Sequence, residues 1–149
     1  LPLVAGVYEQ GPLTYRVMES GVVTNGWRLE HDPLASFPGV DFDPEAMHDL
    51  EEFMPKHEYY SRSAESPWIN LFLIRHRHET GSNELRGCIW SKRENDAIER
   101  NEIQTKSQWL EVLGDIFGEQ LSAYSHVERD EIWKKVQKTH EEWKKAKGE

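Results

Sequence analysis

The chain has 149 residues, 27 acidic side chains against 18 lysines and arginines, and a formal net charge of −9. That length allows one domain or two small ones, and six Trp, five Tyr and five Phe exclude a chain too polar to pack. The acidic balance disfavours nucleic acid as a partner, and no run approaches the roughly 18 apolar residues that cross a bilayer, so no membrane partner is expected. No charged n-region precedes an apolar stretch, so no secretory signal is expected. Cys88, the single cysteine, forms no internal disulfide and fits a reducing compartment, which predicts a cytoplasmic location.

Residues 1–30 read as antiparallel strands. Val4 to Tyr8 is short and apolar, and Tyr15 to Glu19 alternates apolar and polar residues as a half-buried strand does. Asn25-Gly26 predicts a tight type I′ hairpin turn, with Trp27 to Glu30 as the return strand. Residues 31–43, with Pro33, Pro38 and Gly39, read as a connecting loop. Asp43-Pro44-Glu45 predicts a helix start, Met47, Leu50, Phe53 and Met54 fall at helical spacing, and Pro55 predicts its stop.

The segment Tyr59 to Trp68, reading YYSRSAESPW, is expected as a loop before a strand over residues 68–79, in which Ile69 to Ile74 is nearly all apolar and Arg75 to His78 carry the strand into solvent. Thr80 to Asn83 reads as a turn, Leu85 to Trp90 as a returning strand with Cys88 inside it, and Ala97 to Ile103 as a third. Thr105 and Gln108 resemble a capping box ahead of Trp109, Leu110, Leu113 and Phe117, and Gly118 is placed to end that helix. Glu128 to Lys147 predicts a second helix with Ile132, Val136 and Trp143 along one side.

Most chemistry-bearing residues here have a plain structural reading. Cys88 lacks a neighbouring base or helix N-terminus to activate it and reads as a core thiol. His76 and His78 share a strand face but have no third zinc ligand at motif spacing. Asp41, Asp43 and Glu45 lack the glycine and terminal glutamate of a calcium loop, so no metal is expected. Lys134, Lys135, Lys138, Lys144, Lys145 and Lys147 alternate with acids and read as a solvated helix face. Ser61, Ser63 and Ser66, beside Tyr59, Tyr60 and Trp68, combine hydroxyls with rings, which suits a ligand with a polar end and an apolar arm, or a plain polar connection anchored by its aromatics.

That ten-residue segment resembles a loop of arylamine N-acetyltransferases of the form Tyr-x-Ser-Thr-x-Pro-x-Ser-x-Phe. Tyr59, Ser61 and Ser66 match, Trp68 stands for the phenylalanine, and Arg62 and Ala64 depart from it. The Asp43-Pro44 segment resembles the family's approach to that loop, and Thr105 to Leu121, with Ile116-Phe117-Gly118 and then Leu121-Ser122, resembles its late helix with a terminal Phe-Gly. Leu1 to Val7 resembles the Pro-Leu-Pro-Leu stretch after the family's catalytic aspartate. The resemblance implies an incomplete papain-like α+β architecture: part of an antiparallel β-barrel over residues 1–43, then a small α/β lid over 44–149. It implies that the Cys-His-Asp set lies upstream, in a complementary N-terminal half, so no catalytic residue is carried over.

The resemblance further implies acetyl-CoA or another acyl-CoA as co-substrate and an aromatic amine or hydrazine as acceptor. Tyr59, Ser61, Ser63, Ser66 and Trp68 would line the acyl-CoA side of the cleft, with Ser61 and Ser66 donating to amide or phosphate oxygens and Arg62 meeting a phosphate. The alternatives are a non-catalytic protein-interaction module and a degenerate family member. An opening that is already apolar, Leu1-Pro2-Leu3-Val4, fits a piece of a larger protein. An unclosed barrel would leave sheet edges that favour association.

Overall fold

In the second strand of the chain, Leu13, Tyr15 and Val17 are buried while Thr14 and Arg16 face water, the two-residue period of a strand with one covered face. The computed structural model describes residues 4–11, 13–32, 37–94 and 97–148. The first three residues of the apolar opening, and Pro33 of the expected loop, lie outside the described residues. Those described form an α+β fold with two antiparallel four-stranded sheets. The first sheet is a meander of β1 (Gly6–Gln10), β2 (Leu13–Glu19), β3 (Trp27–Glu30) and β4 (Gly39–Phe42), in sequence order.

The part of a barrel expected over residues 1–43 is found as an open sheet. Among the described residues β1 and β4 are the edges of an open sheet, and closure takes more strands than this meander supplies, about eight in small barrels. The Asn25-Gly26 turn is also wider than expected. Glu19 pairs with Trp27, so residues 20–26 form the connection, and only Asn25 has positive φ (56°), where a type I′ turn needs two such residues. Gly26 is required by close approach: a Cβ there would lie 2.6 Å from the Val23 side chain and 2.9 Å from the Phe42 carbonyl oxygen.

The helix expected from Asp43 to Met54 is displaced. The Asp43 carboxylate accepts the Glu45 N–H at 2.9 Å and makes only a local turn. A 3-10 turn covers Leu50–Phe53, and α1 (Met54–Arg62) begins where the stop was expected. Pro55 sits in the first turn, where a missing N–H costs nothing and the fixed φ is already helical. Tyr59, Ser61 and Arg62 therefore lie on a helix rather than in a loop. No residue of α1 is buried.

The second sheet is β5 (Leu73–His78), β6 (Gly81–Arg86), β7 (Ile89–Glu94) and β8 (Ala97–Glu102), again in sequence order. Its first strand starts later than expected and its first turn contracts to Glu79-Thr80. Cys88 lies in the β6–β7 turn beside Gly87 (φ 59°), not within a strand. Helix α2 (Lys106–Glu111) carries both halves of the Thr105/Gln108 capping box and runs into a π-helical turn over Val112–Ile116. Gly118, at φ 70°, ends it, and the Glu119 N–H returns to the Leu113 carbonyl at 3.0 Å. Helix α3 (His126–Lys147) begins at a second capping box, Ser125 with Glu128, two residues before the expected start.

The core joins these pieces at one end of the second sheet. Leu85, Cys88, Ile103, Trp109, Leu113, Trp133 and Val136 are buried together, with Phe72, Ile74 and Trp90 against them. Trp109 is 4.9 Å from Phe72 and 5.9 Å from Trp133 between ring centroids, and its indole N–H donates to the Gly87 carbonyl at 3.2 Å. The two sheets meet through polar contacts. Arg93 and Asp32, both buried, pair at 3.1 Å, and the second Asp32 oxygen accepts the Thr14 N–H at 3.1 Å. Arg77 donates to the Tyr15 hydroxyl at 2.9 Å.

Breaking a buried pair from one side leaves a desolvated charge without its counterion. Asp32→Ala should therefore cost about 3–5 kcal/mol by urea unfolding, whereas Asp32→Leu combined with Arg93→Met should cost far less.

Candidate functional site

The Tyr59–Trp68 segment is the end of α1 followed by a tight turn, and its hydroxyls are bonded to their own backbone. Ser61 donates to the His57 carbonyl at 2.6 Å, as a serine one helical turn on can. The Ser63 hydroxyl accepts the Glu65 N–H at 3.2 Å. Ser66 is buried, donates to the Tyr60 carbonyl at 2.8 Å and accepts the Trp68 N–H at 3.2 Å. The rings face outward: Trp68 is 57% exposed, and Tyr59 and Tyr60 meet edge to face at 5.2 Å with both rings partly in solvent. Arg62, expected near a phosphate, is exposed on the last turn of α1.

A groove of about 1240 Å³ lies next to this segment, with Ile69 and Asn70 among its lining residues. Its floor is one face of the second sheet. The strand register brings Arg75 and Arg77 of β5, Glu84 and Arg86 of β6, Ser91 and Arg93 of β7, and Arg100 and Glu102 of β8 to that face. Lys135, His140, Trp143 and Lys147 of α3 stand along one wall, and Leu13, His31 and Phe37 contribute from the first-sheet side. The sequence presents Arg75 to His78 as a strand end running into solvent. The available signal was the two-residue period of Arg75 and Arg77, which the strand directs to the same face as Arg86, Arg93 and Arg100.

His31 stands in this groove between two rings, 4.8 Å from Tyr15 and 4.8 Å from Phe37. Among the described residues its buried Nδ1 has no hydrogen-bond partner. Burial, and then the nearby Arg77 charge, lower its pKa, so it is held neutral near pH 7.

Cys88 is not an activated nucleophile. Burial, and then the Glu102 charge, push its thiol up to about 11. A smaller cavity of about 180 Å³ brings Cys88, Glu102 and His140 to one lining. There His140 Nε2 lies 3.0 Å and Lys144 Nζ 2.8 Å from Glu102 Oε1, and the His140 ring stacks on Trp143 at 5.5 Å. His76 and His78 have ring centroids 6.4 Å apart, and among the described residues no three His, Cys, Asp or Glu side chains form a metal-holding group. Asp41 pairs with Arg28 and accepts the Ser20 hydroxyl, so it works within the first sheet. The lysines of α3 include Lys135, which donates to the Ile69 carbonyl at 3.1 Å, and Lys147, 4.3 Å over the Trp143 ring. Among the described residues no helix is long and apolar enough to cross a membrane.

The Lys144 hydrogen bond, and then that from His140, hold the Glu102 carboxyl below the ordinary carboxylate range. A depressed carboxyl stabilises the fold above its unfolded pKa, and that contribution disappears as pH falls through the folded value. Glu102→Gln should therefore flatten the acid limb of stability as pH falls below about 5, read as the urea midpoint against pH.

No family model matches the chain, and no curated protein sequence matches it. Solved structures do. The arylamine N-acetyltransferase of Mycobacterium marinum in complex with CoA aligns at TM-score 0.75 and 16% identity, over 93% of this chain and 49% of that one. The Mycobacterium smegmatis arylamine N-acetyltransferase aligns at TM-score 0.71 and 19% identity, over 91% and 48%. The Salmonella typhimurium enzyme aligns at 0.67 and 16%, over 89% and 50%. This chain thus spans about half the length of each structure it resembles. The arrangement of sheets and helices described above is the fold of about half of an arylamine N-acetyltransferase.

Proposed function

We propose that this chain is the C-terminal part of an N-acyltransferase of the arylamine N-acetyltransferase kind, and that it supplies the acyl-CoA side of the cleft. One observation carries the reading: the fold is shared over about nine-tenths of this chain and only half of theirs. The remaining half, preceding this one and papain-like, holds the cysteine, histidine and aspartate. There a thiolate takes the acyl group from acetyl-CoA or another acyl-CoA and passes it to an aromatic amine or hydrazine, the histidine drawing the thiol proton and the aspartate orienting the histidine. Cys88 takes no part, because a buried thiol with a raised pKa is a poor nucleophile.

In this reading residues 1–43 continue the sheet of the catalytic half and 44–149 form the lid. Tyr59, Ser61, Ser63, Ser66 and Trp68 make up the donor-side wall. The exposed faces of Tyr59 and Trp68 pack on the apolar arm of the donor, Ser61 and Ser63 edge the contact, and Ser66 holds the turn from behind. Arg62, on the exposed last turn of α1, is left free to meet a phosphate. The partner half also covers the start of α1 and the turn before it, where Leu50, Phe53 and Met54 are 82%, 49% and 48% exposed and form an apolar patch of the kind that marks an interface. The assembled enzyme works in the cytoplasm.

The chain alone, given acetyl-CoA and an aromatic amine, should release no CoA. Joined to a half bearing the Cys-His-Asp set it should turn over, with Cys88→Ala unchanged. Trp68→Ala with Ser61→Ala should then weaken acyl-CoA binding about tenfold, the effect of losing roughly 1.4 kcal/mol. Turnover by the chain alone that Cys88→Ala abolishes would reject the reading. Unchanged acyl-CoA affinity in the double variant would reject the assignment of the wall.

A further inference from the structure

The groove contradicts the charge of the chain that forms it. Among the described residues seven cationic side chains line it (five arginines of the second sheet with Lys135 and Lys147) against two acidic ones, Glu84 and Glu102, on a protein of net charge −9. A cleft lined by one sign of charge focuses its field and gathers counterions. Both carboxylates are already engaged. Glu84 pairs with Arg75, and Glu102 binds His140 and Lys144. Arg93 is held by Asp32, Arg77 donates to the Tyr15 hydroxyl, and Lys135 donates to the Ile69 carbonyl.

Lys147 lies over the Trp143 ring, which leaves Arg86 and Arg100. Both are exposed, both line the groove, and among the described residues neither has an ion pair or a side-chain hydrogen bond. The register puts Arg86 opposite Ile89 and Arg100 opposite Ser91, on the strands flanking β7. Their Cα atoms are therefore two strand spacings apart, roughly 10 Å, and offset by one two-residue step of roughly 7 Å. An arginine side chain is long enough to span half of that diagonal, and Ser91 lies on the strand between them, its hydroxyl with no internal partner among the described residues. Planar guanidinium forks match phosphate oxygens in bidentate pairs.

We propose that Arg86, Ser91 and Arg100 form a binding site for a phosphate monoester or diphosphate on the floor of the groove. The site names only the phosphate chemistry, so it stands whether or not the acyl-CoA reading holds. The anion can come from a free nucleotide or from the nucleotide end of a coenzyme thioester. The hydroxyl-and-ring segment at Tyr59 to Trp68 has no part in it.

The test is calorimetric titration of the 149-residue chain with inorganic pyrophosphate, adenosine 3′,5′-bisphosphate, CoA, pantetheine and hexaglutamate. The variants are Arg86→Gln, Arg100→Gln and, as a control on the exposed side of α3, Lys138→Gln, each checked for an unchanged melting temperature. Pyrophosphate and the bisphosphate should bind and should weaken when salt rises from about 50 to about 200 mM. Both should weaken at least about tenfold in the combined Arg86→Gln/Arg100→Gln variant but not in Lys138→Gln. CoA binding with the same arginine dependence would assign the phosphate to a coenzyme, and equal affinity for the bisphosphate would assign it to a free nucleotide. Pantetheine, lacking the diphosphate, should be insensitive to both arginines. No pyrophosphate binding at millimolar concentration, an equal loss in Lys138→Gln, or tighter binding of hexaglutamate would overturn the proposal. Arginine-dependent pyrophosphate binding together with failure of CoA to bind the chain joined to its catalytic half would reject the acyl-CoA reading and leave this site standing.

Discussion

Among the described residues a buried ion pair and one hydrogen bond relate the two sheets, and the ion pair fixes the most. Asp32 lies just beyond the end of β3 and Arg93 near the end of β7, so their 3.1 Å contact joins residues far apart in the sequence. Neither residue is there for net energy alone, since desolvating both charges consumes most of what their attraction returns. What the pair supplies is position. The Asp32 carboxylate accepts the Thr14 backbone N–H as well, so the same group fixes the start of β2. Tyr15, one residue on, receives Arg77 from the second sheet. Two arginines, one from β5 and one from β7, thus grip one corner of the first sheet, and the groove opens beside that grip.

The groove owes its chemistry to this arrangement. A sheet with both faces packed would bury its arginines or replace them. Here one face of the second sheet carries the apolar load, with Leu85, Trp90 and Ile74 against Trp109, while the opposite face keeps polar and cationic residues. Helix α3 serves both sides. Trp133 and Val136 enter the core, and His140 and Lys144 reach Glu102 at the margin of the arginine face. Neutralising Glu102 from the helix leaves the sheet arginines without that internal counterion.

Much of the fold was legible where local chemistry decides it. The Thr105/Gln108 capping box, Gly118 as a left-handed stop and the alternation in β2 are set by a few neighbouring residues, and each formed as those residues predict. The misreadings come from residues whose role depends on context. Pro55 stops a helix that precedes it and starts one that follows, and the helical spacing of Met47, Leu50, Phe53 and Met54 favoured the wrong choice because those side chains face no core in this chain. Cys88 looked like a strand residue because its neighbours are apolar, yet Gly87 in the left-handed region turns the chain there. The groove was least legible. Its cations come from four strands and a helix far apart in the sequence, and only the register brings those of the strands to one face.

Gly81 carries a dependence that its place beside a surface turn conceals. A Cβ at that position would lie 1.9 Å from the Arg93 carbonyl oxygen, so no other residue fits without parting β6 from β7. The strand displaced would be the one bearing Arg93. The tolerance of this hairpin to mutation is therefore set by a joint between sheets, and drift at that end of the ladder would loosen the corner that shapes the groove.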